Sequence, residues 1–319
     1  MKDRLLSIDV LRGMTLIFMI IVNQPGSWDN VFAPLLHADW NGLTPTDYIF
    51  PNFLFIVGVS IVLALSKRNK TDTSIYFKII KRTIIIFSIG LFLALFPNFD
   101  FENLRIAGVL QRIALVYLFC SVIYLNSSFL VQVWIGVVLL LLYWVFMTKI
   151  PFDNVLAGTL EPGNNFAAWV DQFITPGRMY QKTWDPEGFF STIPAIATGL
   201  SGMFCGHILL NKSKDLRDKI ILIFVAGFSA MCLGLLWDYS FPMNKHIWTS
   251  SYVLFSSGLA MLFLATCIWV IDLKKKTKPF HFGIVFGSNA IFAYVLHSML
   301  WRLFQIPIFN EKGIQQNWM

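Results

Sequence analysis

Residues 37–58 read HADWNGLTPTDYIFPNFLFIVG, a polar cluster running straight into an apolar segment. The apolar part extends to residue 66, about the length needed to cross ~30 Å of hydrocarbon. Runs of similar length recur along the chain, at roughly 8–25, 47–66, 76–96, 106–125, 129–147, 188–210, 219–237, 248–271 and 281–301. Of the 319 residues 56% are hydrophobic and only 13% are charged, which excludes a soluble globular domain. The ~10-residue alternating segments of an outer-membrane barrel are absent. The expectation is an all-α fold, a polytopic transmembrane helical bundle of about nine to ten spans in one domain over residues 1–319.

The net charge of +7 is distributed along the chain rather than gathered into a nucleic-acid patch. Basic residues cluster at Lys2/Arg4, Lys67–Lys70, Lys78–Arg82, Lys212–Lys219 and Lys274–Lys278. With the N-terminus inside, all of these fall on the cytoplasmic side, as the positive-inside rule demands. The opposite side receives 26–46, 97–105, 148–187 and 238–247; in a bacterium it is the periplasm, and the membrane is the inner one. Asp9 and Arg12 near the start of the first span argue against a cleaved signal peptide. Residues 148–187, with two tryptophans and several turn residues, suit an ordered periplasmic loop capping a cavity. The four cysteines lie inside apolar runs without metal-ligand spacing, so neither a metal nor a disulfide framework is expected.

Polar groups within the spans are the candidate functional residues, because an ionisable side chain facing lipid is costly. Asp9 and Arg12, three apart, can pair on one helix face. Arg105 and Arg112 open the fourth span and need anionic partners, either carboxylates such as Asp47, Asp100 or Glu187 or the phosphates of a ligand. Asn289 and His297, eight apart, share a face of the last span. His37 stands outside hydrocarbon, close to Trp40 and Asn41 and ten residues before Asp47. An imidazole side chain can accept a proton at neutral pH. Trp40 offers a flat face for a sugar ring. An ordinary loop histidine fits the spacing equally, and the residues alone do not name a reaction.

Six ordered segments carry a family resemblance: RLLSIDVLRGMTLIFMIIVN (4–23), HADWNGLTPTDYIFPNFLFIVGVS (37–60), RIAGVLQRIALVY (105–117), WDPEGFFSTIPAIATGLSGMFCGHIL (184–209), FPMNKHIWTSSYV (241–253) and GSNAIFAYVLH (287–297). The chain resembles the heparan-α-glucosaminide N-acetyltransferase family, including its bacterial relatives. The resemblance implies a transferase that passes an acetyl group from cytoplasmic acetyl-CoA, through the helical core, to an amino sugar on the far side. It maps the family's catalytic histidine onto His37 and its functionally important asparagine onto Asn23.

Under that implication Trp40, Asn41, Asp47, Asp185, Glu187, Lys245 and Trp248 are the candidates for the acceptor. Arg12, Arg105, Arg112, Asn289 and His297 are the candidates for the coenzyme. The partners expected are acetyl-CoA, an amino-sugar acceptor, the lipid bilayer and a second copy in a homodimer, with no nucleic acid. The family closes with a further apolar helix where this chain reads NEKGIQQNWM, so an odd span count and a C-terminus outside are expected. His37 serves either as a general base in a ternary complex or as a transient acetyl carrier. An O-acetyltransferase of an envelope polysaccharide and a non-catalytic amino-sugar permease are the alternatives. The lack of an internal repeat weighs against the permease.

Overall fold

The computed structural model describes residues 5–25, 30–68, 72–304 and 306, with the backbone of 308–309 and 315–316. Lys2, Arg4 and Lys70 of the expected basic clusters, and most of the 310–319 tail, lie outside the described residues.

The chain is a polytopic helical bundle. Its long helices are α1 (Leu6–Asn23), α2 (Ile49–Leu65), α3 (Ser74–Leu95), α4 (Val109–Asn126) and α5 (Phe129–Lys149). A short β1–β2 hairpin (Leu160–Glu161, Asn164–Asn165) and α6 (Phe166–Ile174) then precede α7 (Thr192–Leu210), α8 (Leu216–Asp238), α9 (Ser250–Cys267), α10 (His281–Ser288) and α11 (Ala290–Phe304). Among the described residues seven helices are long and apolar enough to cross a membrane, and α10 with α11 makes eight if the bent pair is one span. The remaining expected segment, 76–96, is α3, 22 residues long, with Lys78, Lys81 and Arg82 in its first half.

Local chemistry explains several helix starts. Pro51 and Pro194 sit in the first turns of α2 and α7, where a missing N–H is harmless. Asn165 caps α6 by accepting from Ala168 N (2.9 Å), and Asp215 caps α8 by accepting from Asp218 N (2.7 Å).

Close helix crossings hold the centre. On α7, a Cβ at Gly202 would collide with the Phe55 carbonyl of α2, and one at Gly58 with the Gly199 carbonyl. Small residues allow this approach, which supplies dispersion contacts where lipid offers no hydrophobic drive between helices. The same device joins α1 to α10, where Gly13 meets the Gly283 carbonyl and Gly287 the Asp9 carbonyl. By contrast α5 and α8 are peripheral, with 17% of each span buried, leaving the apolar surface a bilayer covers.

One expectation is corrected. Residues 281–301 do not form one straight span: α10 and α11 meet at 77°. Asn289 sits at the break and turns its side-chain amide back to Val285 O and Ser288 Oγ (both 3.1 Å), local bonds that compete with a continuing helix. Asn289 and His297 therefore do not share a helix face.

The loop segments 30–48, 96–108, 150–191 and 239–249 meet at one end of the bundle. Trp40 Nε1 donates to Leu160 O (2.8 Å) and Asn244 Nδ2 to Asn41 Oδ1 (3.1 Å). Arg105 donates to both Asp185 oxygens (2.7 and 2.6 Å). The 150–191 loop is ordered through β1–β2 and α6, and Phe166 and Trp169 pack there against Phe152.

Candidate active site

The site begins with a turn. Thr44-Pro-Thr-Asp47 forms a capping box at the start of a short 3₁₀ turn (Pro45–Tyr48) that runs into α2. The box fixes the Asp47 carboxylate. Its Oδ2 accepts from Thr44 N (3.0 Å), Thr44 Oγ1 (3.1 Å) and Ala38 N (3.1 Å). Its Oδ1 lies 2.7 Å from His37 Nδ1 and 3.2 Å from Lys245 Nζ. Every one of these partners can donate, which is the set an ionised carboxylate accepts. Tyr252 Oη donates to the Asp47 carbonyl (2.6 Å) and anchors the turn from α9.

With its proton on Nδ1, His37 donates to Asp47 and keeps a lone pair on Nε2. Asp47 is 1% exposed while the His37 side chain is 43% exposed, so a buried anion orients an accessible ring. Lys245 Nζ stands 2.8 Å from His37 Nδ1 and 3.4 Å from Nε2. Burial pulls the Lys245 pKa below the ordinary lysine range, against the opposing pull of Asp47 and Glu187.

His37 opens onto a cavity of about 700 Å³ whose lining includes Asn23, Thr46, Glu187 and Lys245 near His37, Arg12, Ser60 and Asn289 deeper in, and Arg82 and Leu65 farther along. The lining follows α2 from Ile49 to Leu65, a rise of about 24 Å. Arg12 is held inside by Ser60 Oγ (2.8 Å), the Gly287 carbonyl (3.2 Å) and Asp9 (3.4 Å), the pairing anticipated from their spacing. Arg82 lies over the Tyr117 ring, 5.0 Å from its centroid.

The structure sorts the remaining candidates. Arg105 clamps Asp185 and also bonds Glu187. Burial opposes the Arg105 charge, but the two carboxylates outweigh it and hold its pKa above the ordinary range. Burial likewise opposes the Asp185 charge, yet Arg105 holds that carboxyl below its ordinary range. Asp185 also accepts from Tyr180 N (2.8 Å) and Glu187 N (2.9 Å), so both of its oxygens are committed to the loop. Arg112 is 1% exposed, stacks over Trp248 (5.0 Å) and donates to Gly188 O (2.8 Å) and Ser191 Oγ (2.5 Å). Trp248, also 1% exposed, packs edge-on to Phe50 and Tyr252 beneath the cavity. Arg105, Arg112, Asp185, Trp248 and His297 are not among the cavity-lining residues, whereas Arg12 and Asn289 are. Trp40 stacks on His246 (5.3 Å) and meets Trp184 edge-on (5.0 Å).

The sequence alone left Thr44 and Ser60 unmarked, Arg82 as one of a basic cluster, and His246 as an ordinary residue of a periplasmic turn. The T-x-x-D spacing before an apolar run is a recognisable capping box. The other three become visible only through contacts between distant helices and loops.

The sequence model of the family described as "Heparan-alpha-glucosaminide N-acetyltransferase, catalytic" matches residues 4–234. The chain is 28% identical to the human heparan-alpha-glucosaminide N-acetyltransferase over 372 residues, covering 95% of this chain and 54% of the relative. It is likewise 28% identical to the mouse protein of that name over 368 residues, with the same shares covered. The chain thus spans about half the length of the curated relatives it matches.

Proposed function

The chain belongs to the heparan-alpha-glucosaminide N-acetyltransferase catalytic family, and on that premise we propose that it moves an acetyl group from acetyl-CoA to the amine of glucosamine or a glucosamine-ended oligosaccharide. The donor arrives from the cytoplasmic, Lys- and Arg-rich side of an inner membrane, and the acceptor sits on the periplasmic side, under the 148–187 loop.

One observation carries the reading: the His37–Asp47–Lys245 cluster stands at one end of a cavity that follows α2 along its length towards Arg82 and Leu65. A long, thin acyl carrier needs such a passage, and a sugar amine needs a base where the passage ends. His37 Nε2 takes the amine proton while the nitrogen attacks the thioester carbonyl carbon. The C–S bond then breaks, and the proton passes to the departing thiolate. Asp47 keeps Nδ1 protonated and so keeps Nε2 basic. The Asn23 amide, on the same cavity wall, polarises the acetyl carbonyl. General base catalysis is worth typically ~10²–10⁴-fold and a donor to the oxyanion ~10²–10³-fold. Glu187 takes the acceptor's ammonium or hydroxyls, and Trp40 and Asn41 border the same loop cluster.

The test is transfer in proteoliposomes with acetyl-CoA and glucosamine on opposite faces. N-acetylglucosamine appears on the sugar side only when acetyl-CoA meets the face carrying Lys67 and Lys212. Acetylation of N-acetylglucosamine hydroxyls in place of the free amine would turn the reading into O-transfer. Glucosamine flux independent of acetyl-CoA would turn it into transport. An acetyl group trapped on His37 without sugar would replace direct attack by a two-step relay.

A further inference from the structure

Lys245 has no role in the proton path just described, yet its amine is built into the reacting end of the cavity. Its side chain is 15% exposed and lines the cavity, unlike the exposed Lys67 and Lys212. Asn244 Oδ1 accepts from Ile247 N (3.1 Å), and the Lys245 carbonyl accepts from Trp248 N (3.2 Å), so the backbone carrying the side chain is a fixed turn. That turn sets Nζ 3.4 Å from His37 Nε2 and 2.8 Å from Nδ1. A primary amine within reach of a proton acceptor, at the point where an acyl thioester arrives, is what the acceptor sugar itself presents. Burial also favours the neutral, nucleophilic form of this amine relative to an exposed lysine.

We propose that Lys245 is a self-acetylation site: when acetyl donor is bound and no acceptor sugar is present, its ε-amine takes the acetyl group. This rests on the transfer reading above. Nζ attacks the thioester carbonyl carbon and the C–S bond breaks. The amine's proton moves to His37 Nε2 and then to the departing thiolate, giving Nε-acetyl-Lys245 and free CoA. The Asp47 carboxylate opposes loss of the lysine's proton, so the reaction is slower than transfer to sugar. Its product has lost that ion pair and places an acetyl group at the cavity mouth, in the acceptor's path. An enzyme left with donor alone therefore becomes progressively less active.

The experiment incubates the purified, full-length protein with isotopically labelled acetyl-CoA, with and without glucosamine, and follows label by peptide mass spectrometry. Exposed Lys67 and Lys212 report non-enzymatic acetylation, and glucosamine acetylation is measured on the same preparation. The expected result is label on Lys245 appearing about a hundredfold or more faster than on Lys67, the lower end of general-base assistance. Saturating glucosamine suppresses it, His37→Gln and His37→Ala abolish it, and Lys245→Arg removes label from that peptide. Active transfer to glucosamine with Lys245 unlabelled, or labelled no faster than Lys67, overturns the proposal and leaves the transfer reading standing. Equal labelling in His37→Gln overturns it too. If neither sugar nor Lys245 gains an acetyl group, the transfer reading itself fails and takes this proposal with it.

Discussion

Asp47→Asn separates the chemistry of the site from its architecture. The amide oxygen can keep the Oδ2 position, where Ala38 N, Thr44 N and Thr44 Oγ1 all donate. The amide NH₂ then takes the Oδ1 position, 2.7 Å from His37 Nδ1. A donor there forces Nδ1 to accept, which moves the ring proton to Nε2 and removes the lone pair that receives the amine proton. The whole general-base contribution is lost, ~10²–10⁴-fold in kcat, or about 2.7–5.4 kcal/mol of transition-state stabilisation. The effect on folding is confined to the Lys245 contact, which loses its anion, about 1–3 kcal/mol. Steady-state transfer to glucosamine and thermal unfolding in detergent measure the two quantities separately. A properly folded Asp47→Asn enzyme with wild-type kcat would refute the tautomer argument and, with it, the role of His37 as base.

His37→Ala should abolish transfer while acetyl-CoA still raises the thermal midpoint, because the truncated ring is one residue at the end of a long cavity; residual wild-type turnover would remove the catalytic assignment. Gly202→Ala should destabilise the bundle by about 1–3 kcal/mol, the usual range for overpacking, since its methyl group meets the Phe55 backbone rather than a movable side chain; an unchanged detergent midpoint would contradict the close α2–α7 crossing. Asp171, 2% exposed and accepting from Phe190 N (2.9 Å), has its carboxyl pushed up to about 6 by burial. The folded state therefore holds this proton more tightly than the unfolded chain, and its contribution to stability falls as pH rises from about 4 to about 6, by at most about 3 kcal/mol. Asp171→Asn should flatten that dependence and stabilise the protein at pH 7 relative to pH 5; parallel pH–stability curves for variant and wild type would show that Asp171 is not the group concerned.

Much of the site was legible because it is local. His37, Trp40, Asn41 and Asp47 fall within eleven residues, and their contact needs only the turn that Thr44-Pro-Thr-Asp47 encodes. Arg12 and Asp9 were equally readable, being one helical turn apart. Arg105 and Arg112 were not, because a cationic span residue demands a partner without saying which. Whether that partner is a ligand phosphate or a carboxylate 80 residues away is decided by where the 150–191 loop returns.

The amino-acid sequence alone was enough for the apolar helices other than the last, the end of the bundle at which the loops gather, and the capping turn beside His37. Each follows from side chains within one or two helical turns, or from the length of an apolar run. Only the tertiary structure placed Lys245 beside His37, 208 residues earlier in the chain. It also broke the last span at Asn289, buried Trp248 and Arg112 beneath the cavity, and carried that cavity from His37 to Arg82. These depend on which helices cross closely, and close crossing is a property of paired surfaces that no single segment contains.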